Sequence, residues 1–163
     1  MPEVARVADT LLLMDKGQIK SYGPIAKMLN RTDLGGRSST EFDNFLVARL
    51  IKHEPQYGLS ILESDLGTIS VGTVNQEIGS TVRFTISARD ISLTLERQQR
   101  TSILNIFAAK VEELQELDQS QVLLKLRANN TLVLAKITCK SVYNLALTPG
   151  LDVYCQAKTV SLL

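Results

Sequence analysis

Apolar residues recur with a period of two through much of the second half of the chain. Between Gln121 and Arg127, Val122, Leu124 and Leu126 alternate with Leu123, Lys125 and Arg127, the pattern of a half-buried strand. Ala128-Asn129-Asn130-Thr131 follows; Asn tolerates positive φ and bonds its own backbone, so this is a hairpin tip leading into a second strand from Leu132 to Ile137. Thr138-Cys139-Lys140-Ser141 then opens a short helical segment, with Ser141 as its cap and Val142, Leu145 and Leu147 along it, ended by Thr148-Pro149-Gly150. A last strand is expected over 153–162. Upstream, Thr68–Val74 and Thr81–Ser87 read as short strands, and Pro55-Gln56-Tyr57-Gly58 as a turn into Leu59–Glu63. Asn44–Glu54 fits helix or strand equally well. Strands this short and this closely spaced predict a mainly β fold closed into a barrel.

The first forty residues follow other periods. Val4, Val7 and Ala8 keep helical spacing over Pro2–Asp9, Thr10–Asp15 is an apolar strand, and Lys16-Gly17 turns into a returning strand over Gln18–Tyr22. Gly23-Pro24 then starts a helix with Ile25, Met28 and Leu29 on one face. This is an α/β fragment without its sheet. Arg31–Thr40, small and polar, is the best linker. The expected organisation is therefore 1–34 as an α/β remnant, 35–43 as linker, 44–100 as the first part of a β domain and 101–163 as its second.

Composition narrows the function more than the fold. With 163 residues, 44% of them hydrophobic, the chain can bury a core. A net charge of +1, no tryptophan and 5% aromatics argue against a basic groove with stacking platforms for nucleic acid. Cys139 and Cys155 have neither metal-ligand spacing nor the density of a disulfide scaffold; they read as buried small apolar residues in a reducing cytosol. His53, the single histidine, reads as a surface residue. No G-x-x-x-x-G-K-[ST] loop, magnesium-holding acidic strand end or signature loop occurs, so ATP hydrolysis is not expected of this chain.

Four motifs carry a resemblance: Thr101-Ser102-Ile103-Leu104-Asn105; Ile137-Thr138-x-x-Ser141; Leu147-x-Pro149-Gly150-x-x-Val153-Tyr154; and Lys158-Thr159-Val160-Ser161-Leu162. Together they resemble the molybdate-binding Mop or TOBE domain. Ile86–Leu93 is similar to the segment that precedes this domain in ATP-binding subunits of molybdate importers. Glu3–Asp9, with Leu12-Leu13-Met14-Asp15-Lys16-Gly17-Gln18-Ile19, resembles the tail of an ABC-type nucleotide-binding domain. The resemblance implies an OB-like barrel preceded by a short ABC remnant, and a strand for Asn44–Glu54. It implies a molybdate or tungstate ligand without a cofactor, a homodimer through the β domain, and a membrane permease subunit as partner. The implied location is cytoplasmic, peripheral to the inner face of the membrane.

A tetrahedral dianion needs converging hydrogen-bond donors and a cation, because charge-assisted bonds are about twice as strong as neutral ones. Ser102, Asn105, Thr138, Ser141, Lys158, Thr159 and Ser161 supply that set in the resembling motifs, and a helix N-terminus at Ser141 would add backbone N–H groups. In the family the oxyanion lies between subunits. Stand-alone relatives have Ser-Ala-Arg-Asn where this chain has Ser102-Ile103-Leu104-Asn105. Two other readings stay open: a structural dimerisation domain of an importer for another solute, and an OB-type nucleic-acid module.

Overall fold

The computed structural model describes residues 8–24, 28 and 42–163. Residues 2–7 of the expected helix over Pro2–Asp9, the linker over Arg31–Thr40 and most of the helix after Pro24 lie outside these residues; Ala8 and Asp9, which are described, are not helical. Met28 alone of that helix is described; it is helical and buried, and accepts a hydrogen bond at Sδ from Ser21 Oγ at 3.3 Å. β1 (Thr10–Asp15) and β2 (Gln18–Pro24) form an antiparallel hairpin, turned at Lys16 and Gly17 with positive φ at both.

The body consists of two five-stranded antiparallel sheets. β3 (Asp43–Glu54), β4 (Leu59–Ser64), β5 (Gly67–Gly72), β6 (Thr81–Ser87) and β7 (Ile91–Thr94) come first in the chain. β8 (Asn105–Glu116), β9 (Gln121–Ala128), β10 (Thr131–Thr138), a helix α1 (Cys139–Asn144), β11 (Asp152–Ala157) and β12 (Ser161–Leu162) follow. The sheet orders are β12-β6-β3-β4-β5 and β7-β11-β8-β9-β10. Each order is the other shifted by five strands, so the body is an internal repeat. Each half lends its final strand to the other sheet: β7 pairs with β11, and β12 with β6.

Backbone detail follows the same two-fold pattern. β3 and β8 are both 12 residues long, and each breaks register with a bulge, at Leu50/Lys52 and at Val111/Glu113. Gly79 N–H donates to Leu50 O at 2.7 Å while Leu50 N–H donates to Ser80 O; in the second half Gly150 N–H donates to Val111 O at 2.7 Å while Val111 N–H donates to Leu151 O. Both glycines sit at positive φ, +96° and +92°, which a side chain would strain.

Between the sheets, buried carboxamides repeat the symmetry. Asn44 in β3, fully buried, accepts from Leu134 N–H at 2.7 Å and donates to the carbonyls of Leu134 and Ile86. Asn105 in β8 accepts from Ser70 N–H at 2.7 Å and donates to Ser70 O at 3.0 Å. Each amide thus reaches an edge strand of the opposite sheet. The hairpin tips also meet, Asn129 Nδ2 donating to Asp65 O and Thr131 Oγ1 to Asp65 Oδ2. One continuous core, with Leu50, Phe84 and Ile86 from the first half and Val111, Leu124 and Val133 from the second, fills the space between the sheets.

The mainly β architecture agrees with the sequence, including the strand alternative for Asn44–Glu54. Three local expectations do not survive. The expected strand over 153–162 is two strands, β11 and β12, in different sheets, because the chain crosses from one to the other at Lys158–Val160. α1 is capped by Thr138, whose Oγ1 accepts from Ser141 N–H at 3.1 Å, so Ser141 lies inside the helix and is not its cap. Leu123 is buried on the outer side of β9, where Ala88, Leu134, Phe42 and Leu117 cover it.

Removing the Asn44 amide strands an N–H and two carbonyls inside the body. Asn44→Ala is expected to lower unfolding free energy by about 3 kcal/mol, read from urea denaturation followed by circular dichroism. A loss below about 1 kcal/mol would mean the clasp is dispensable.

Candidate functional site

Ala157, at the end of β11, pairs with Asn105, at the start of β8. That register brings Lys158 and Thr159, which leave β11, to the same end of the sheet as Ser102 and Asn105. Ser102, Lys158, Thr159 and Ser161 are exposed. The Thr101 hydroxyl accepts from Ile103 N–H at 3.1 Å, a local turn that has Ser102 at its centre. Lys158 has no carboxylate partner among the described residues, unlike Lys110, Lys125 and Arg127, which are paired to Asp152, Glu113 and Glu112. A cation without a carboxylate partner among the described residues, next to Thr159 in the chain and at the same sheet end as Ser102, suits an anionic ligand.

Asn105 plays a different part from the exposed donors. It is 5% exposed, and its carboxamide spends its oxygen and one N–H on Ser70. Thr138 and Ser141 stand apart altogether. They follow the far end of β10, which lies beside Gln121 and so at the Glu116 end of β8, most of that strand's length from Asn105. There the two hydroxyls bond each other at 2.8 Å. Within one chain the expected residues are therefore divided: Ser102, Asn105, Lys158 and Thr159 lie at one end of the β8–β11 pair, Ser161 follows in β12 of the other sheet, and Thr138 and Ser141 lie at the opposite end of β8's sheet. α1 has only six residues, too short for an appreciable helix dipole, and Ser141 N–H is already bonded, so the anticipated helix N-terminal contribution is absent.

The repeat shows what the first half does with the corresponding segment. Ser92 faces Gln156 in one sheet as Ser161 faces Thr85 in the other, and Ile86 pairs with Asn44 as Ala157 pairs with Asn105, so the five residues 87–91 make the crossing that 158–160 make in the second half. A 3-10 turn over Ala88–Asp90 occupies this crossing, fixed by Ala88 N–H donating to Phe42 O at 2.8 Å.

Other candidates are structural. His53 is half-buried and not a plain surface residue: Nδ1 bonds Ser60 Oγ and Nε2 bonds Gln76 O, each at 3.0 Å, while Ser60 Oγ also accepts from Val74 N–H. The ring ties β3 and β4 to the loop after β5. Nothing in a single histidine's sequence position signalled that network. Cys155 is fully buried, and burial pushes its thiol up to about 12; Cys139 is only half-buried, contrary to expectation. Among the described residues no cluster of His, Cys, Asp and Glu could hold a metal ion, and no helix is long and apolar enough to cross a membrane.

The TOBE domain family model matches residues 101–163. Almost the whole chain is similar to molybdenum import ATP-binding proteins. It is 38% identical to ModC of Albidiferax ferrireducens, over 99% of this chain and 44% of that protein. It is 37% identical to ModC 2 of Azotobacter vinelandii, over 99% and 45%, and 34% identical to ModC of Pseudomonas aeruginosa, over 99% and 45%. The chain thus spans less than half the length of these relatives. A solved structure of the cytoplasmic molybdate-binding protein ModG, with molybdate bound, superposes with a TM-score of 0.59 at 14% identity, covering 81% of this chain and all of that one; it shares the fold.

The thiol environments make a direct check. Iodoacetamide at pH 8 is expected to label Cys139 and leave Cys155 untouched in the native chain, with both labelled after unfolding, as read by mass spectrometry. Separately, Thr138→Ala removes the α1 cap and should cost about 1 kcal/mol of stability.

Proposed function

We propose, from the match of the TOBE domain family model to residues 101–163, that this chain is the oxyanion-sensing portion of a molybdate importer's ATP-binding subunit and takes molybdate or tungstate. The observation that carries this reading is the uncompensated Lys158, set with Thr159 and Ser102 at one end of the β8–β11 pair, inside the matched domain. Lys158 supplies charge, and the hydroxyls of Ser102, Thr159 and Ser161 supply neutral donors, a set that suits a compact tetrahedral dianion.

The division of the seven residues supports a dimeric site. Thr138 and Ser141 of one copy would complete the shell begun by Ser102, Lys158, Thr159 and Ser161 of a second, with Asn105 holding the sheet end behind them, so a homodimer is the ligand-binding unit. The hairpin β1–β2 is the end of the nucleotide-binding domain, the permease subunit is the membrane partner, and the chain itself performs no ATP hydrolysis. Its place is the cytoplasmic face of the membrane, reached through the importer.

Calorimetric titration of the purified chain with molybdate and tungstate is expected to give saturable heat, and sulfate and phosphate much less. Lys158→Ala combined with Ser102→Ala should weaken molybdate binding by about a hundredfold, corresponding to roughly 3 kcal/mol for one lost charge-assisted and one lost neutral bond. Size exclusion should show a dimer at micromolar concentration. A folded dimer that takes up no molybdate would leave a structural dimerisation domain as the function.

A further inference from the structure

The last strand of the body links two places. Lys158, Thr159 and Ser161 lie on the crossing from β11 to β12. Immediately after them, Leu162 pairs with Phe84, Leu163 N–H donates to Arg83 O at 3.0 Å, and Leu163 packs on Phe45. Ala8 and Leu11, from the approach to β1 and from β1 itself, also pack against Phe45. Arg83 completes the contact: its guanidinium donates to Ala8 O at 3.3 Å and is ion-paired with Asp9. Phe45, Arg83 and Leu163 are therefore the seat on which the N-terminal hairpin rests, and one of the three, Leu163, directly follows the short strand that begins at Ser161.

β12 is a strand of only two residues. Such a short strand gains little from its own ladder and is held chiefly by what anchors its two ends. One anchor is Val160, packed against the main core, with the exposed Lys158–Thr159 segment before it; the other is the Leu163 contact with Phe45. The equivalent strand of the first half, β7, has four residues in register with β11, so this weak anchoring is particular to the oxyanion half.

We propose that β12 is a coupling strap: an oxyanion held at Lys158, Thr159 and Ser161 fixes the strap, and the fixed strap strengthens the seat of the hairpin β1–β2 on Phe45, Arg83 and Leu163. The inference rests on the oxyanion reading above. Coupling of this kind is reciprocal, so a weakened seat must lower oxyanion affinity by the same factor that the oxyanion strengthens the seat. Asp9 and Leu11 are positioning residues in this scheme, because neither belongs to the candidate site.

The test uses the full chain and two measurements. Asp9→Ala with Leu11→Ala weakens the hairpin's side of the seat, removing the Arg83 ion pair and the Leu11 packing, and leaves every candidate oxyanion residue in place. Molybdate affinity by calorimetry should fall about fivefold or more in this variant. In the unaltered chain, saturating molybdate should slow hydrogen exchange of the β1–β2 amides by a comparable factor, and sulfate should not. Unchanged affinity in the variant, or hairpin exchange indifferent to molybdate in a chain that binds it, would overturn the strap while leaving the binding reading intact. A chain that binds no molybdate would overturn both.

Discussion

Edge strands carry a row of backbone groups with no neighbour in their own sheet, and an edge turned inward must find partners elsewhere. β5 and β10 are such edges, and Asn44 and Asn105 are the side chains that meet them. A carboxamide suits the task because it offers an acceptor and a donor at the spacing of one residue's N–H and C=O. Each Asn copies, across the gap between sheets, what a sixth strand would have provided within one. The position of both sheets, and hence of the crossing segments at their ends, depends on these two side chains.

The sequence made the strands of the second half legible because Val122, Leu124 and Leu126 alternate without interruption and Asn129-Asn130 marks the turn between β9 and β10. β8 was obscured for two physical reasons. Ala108 and Ala109 blur the contrast between faces, and the bulge at Val111/Glu113 shifts the period midway. The duplication was hidden more deeply. Its strongest marks are backbone bonds at Gly79 and Gly150 and the partners of Asn44 and Asn105, none of which a reading of hydrophobic periods can see. Recognition of motifs placed Lys158, Thr159 and Ser161 on a single strand. Only the sheet pairing shows the chain leaving one sheet before Lys158 and entering the other at Ser161.

The two halves share a skeleton but have diverged where their crossings differ. In the first, a 3-10 turn and Asp90 fill the crossing, and Phe45 and Arg83 face the hairpin. In the second, the crossing is short, exposed and cationic. Thr138 and Ser141 extend the contrast, since α1 is replaced in the first half by the loop that His53 holds. Duplication supplied two equivalent corners; substitution and a loop change gave them separate duties.

The exchange of β7 and β12 has a further meaning for how such a body arises and how it fails. Two separate copies of a half that traded their last strands would make the same ten-stranded arrangement, so the segment 95–104 joins what strand swapping already holds together. Neither half has a finished sheet or a closed core of its own. The body must therefore be gained and lost as a whole, and a cut in 95–104 would leave two chains still interlocked, not two freed domains.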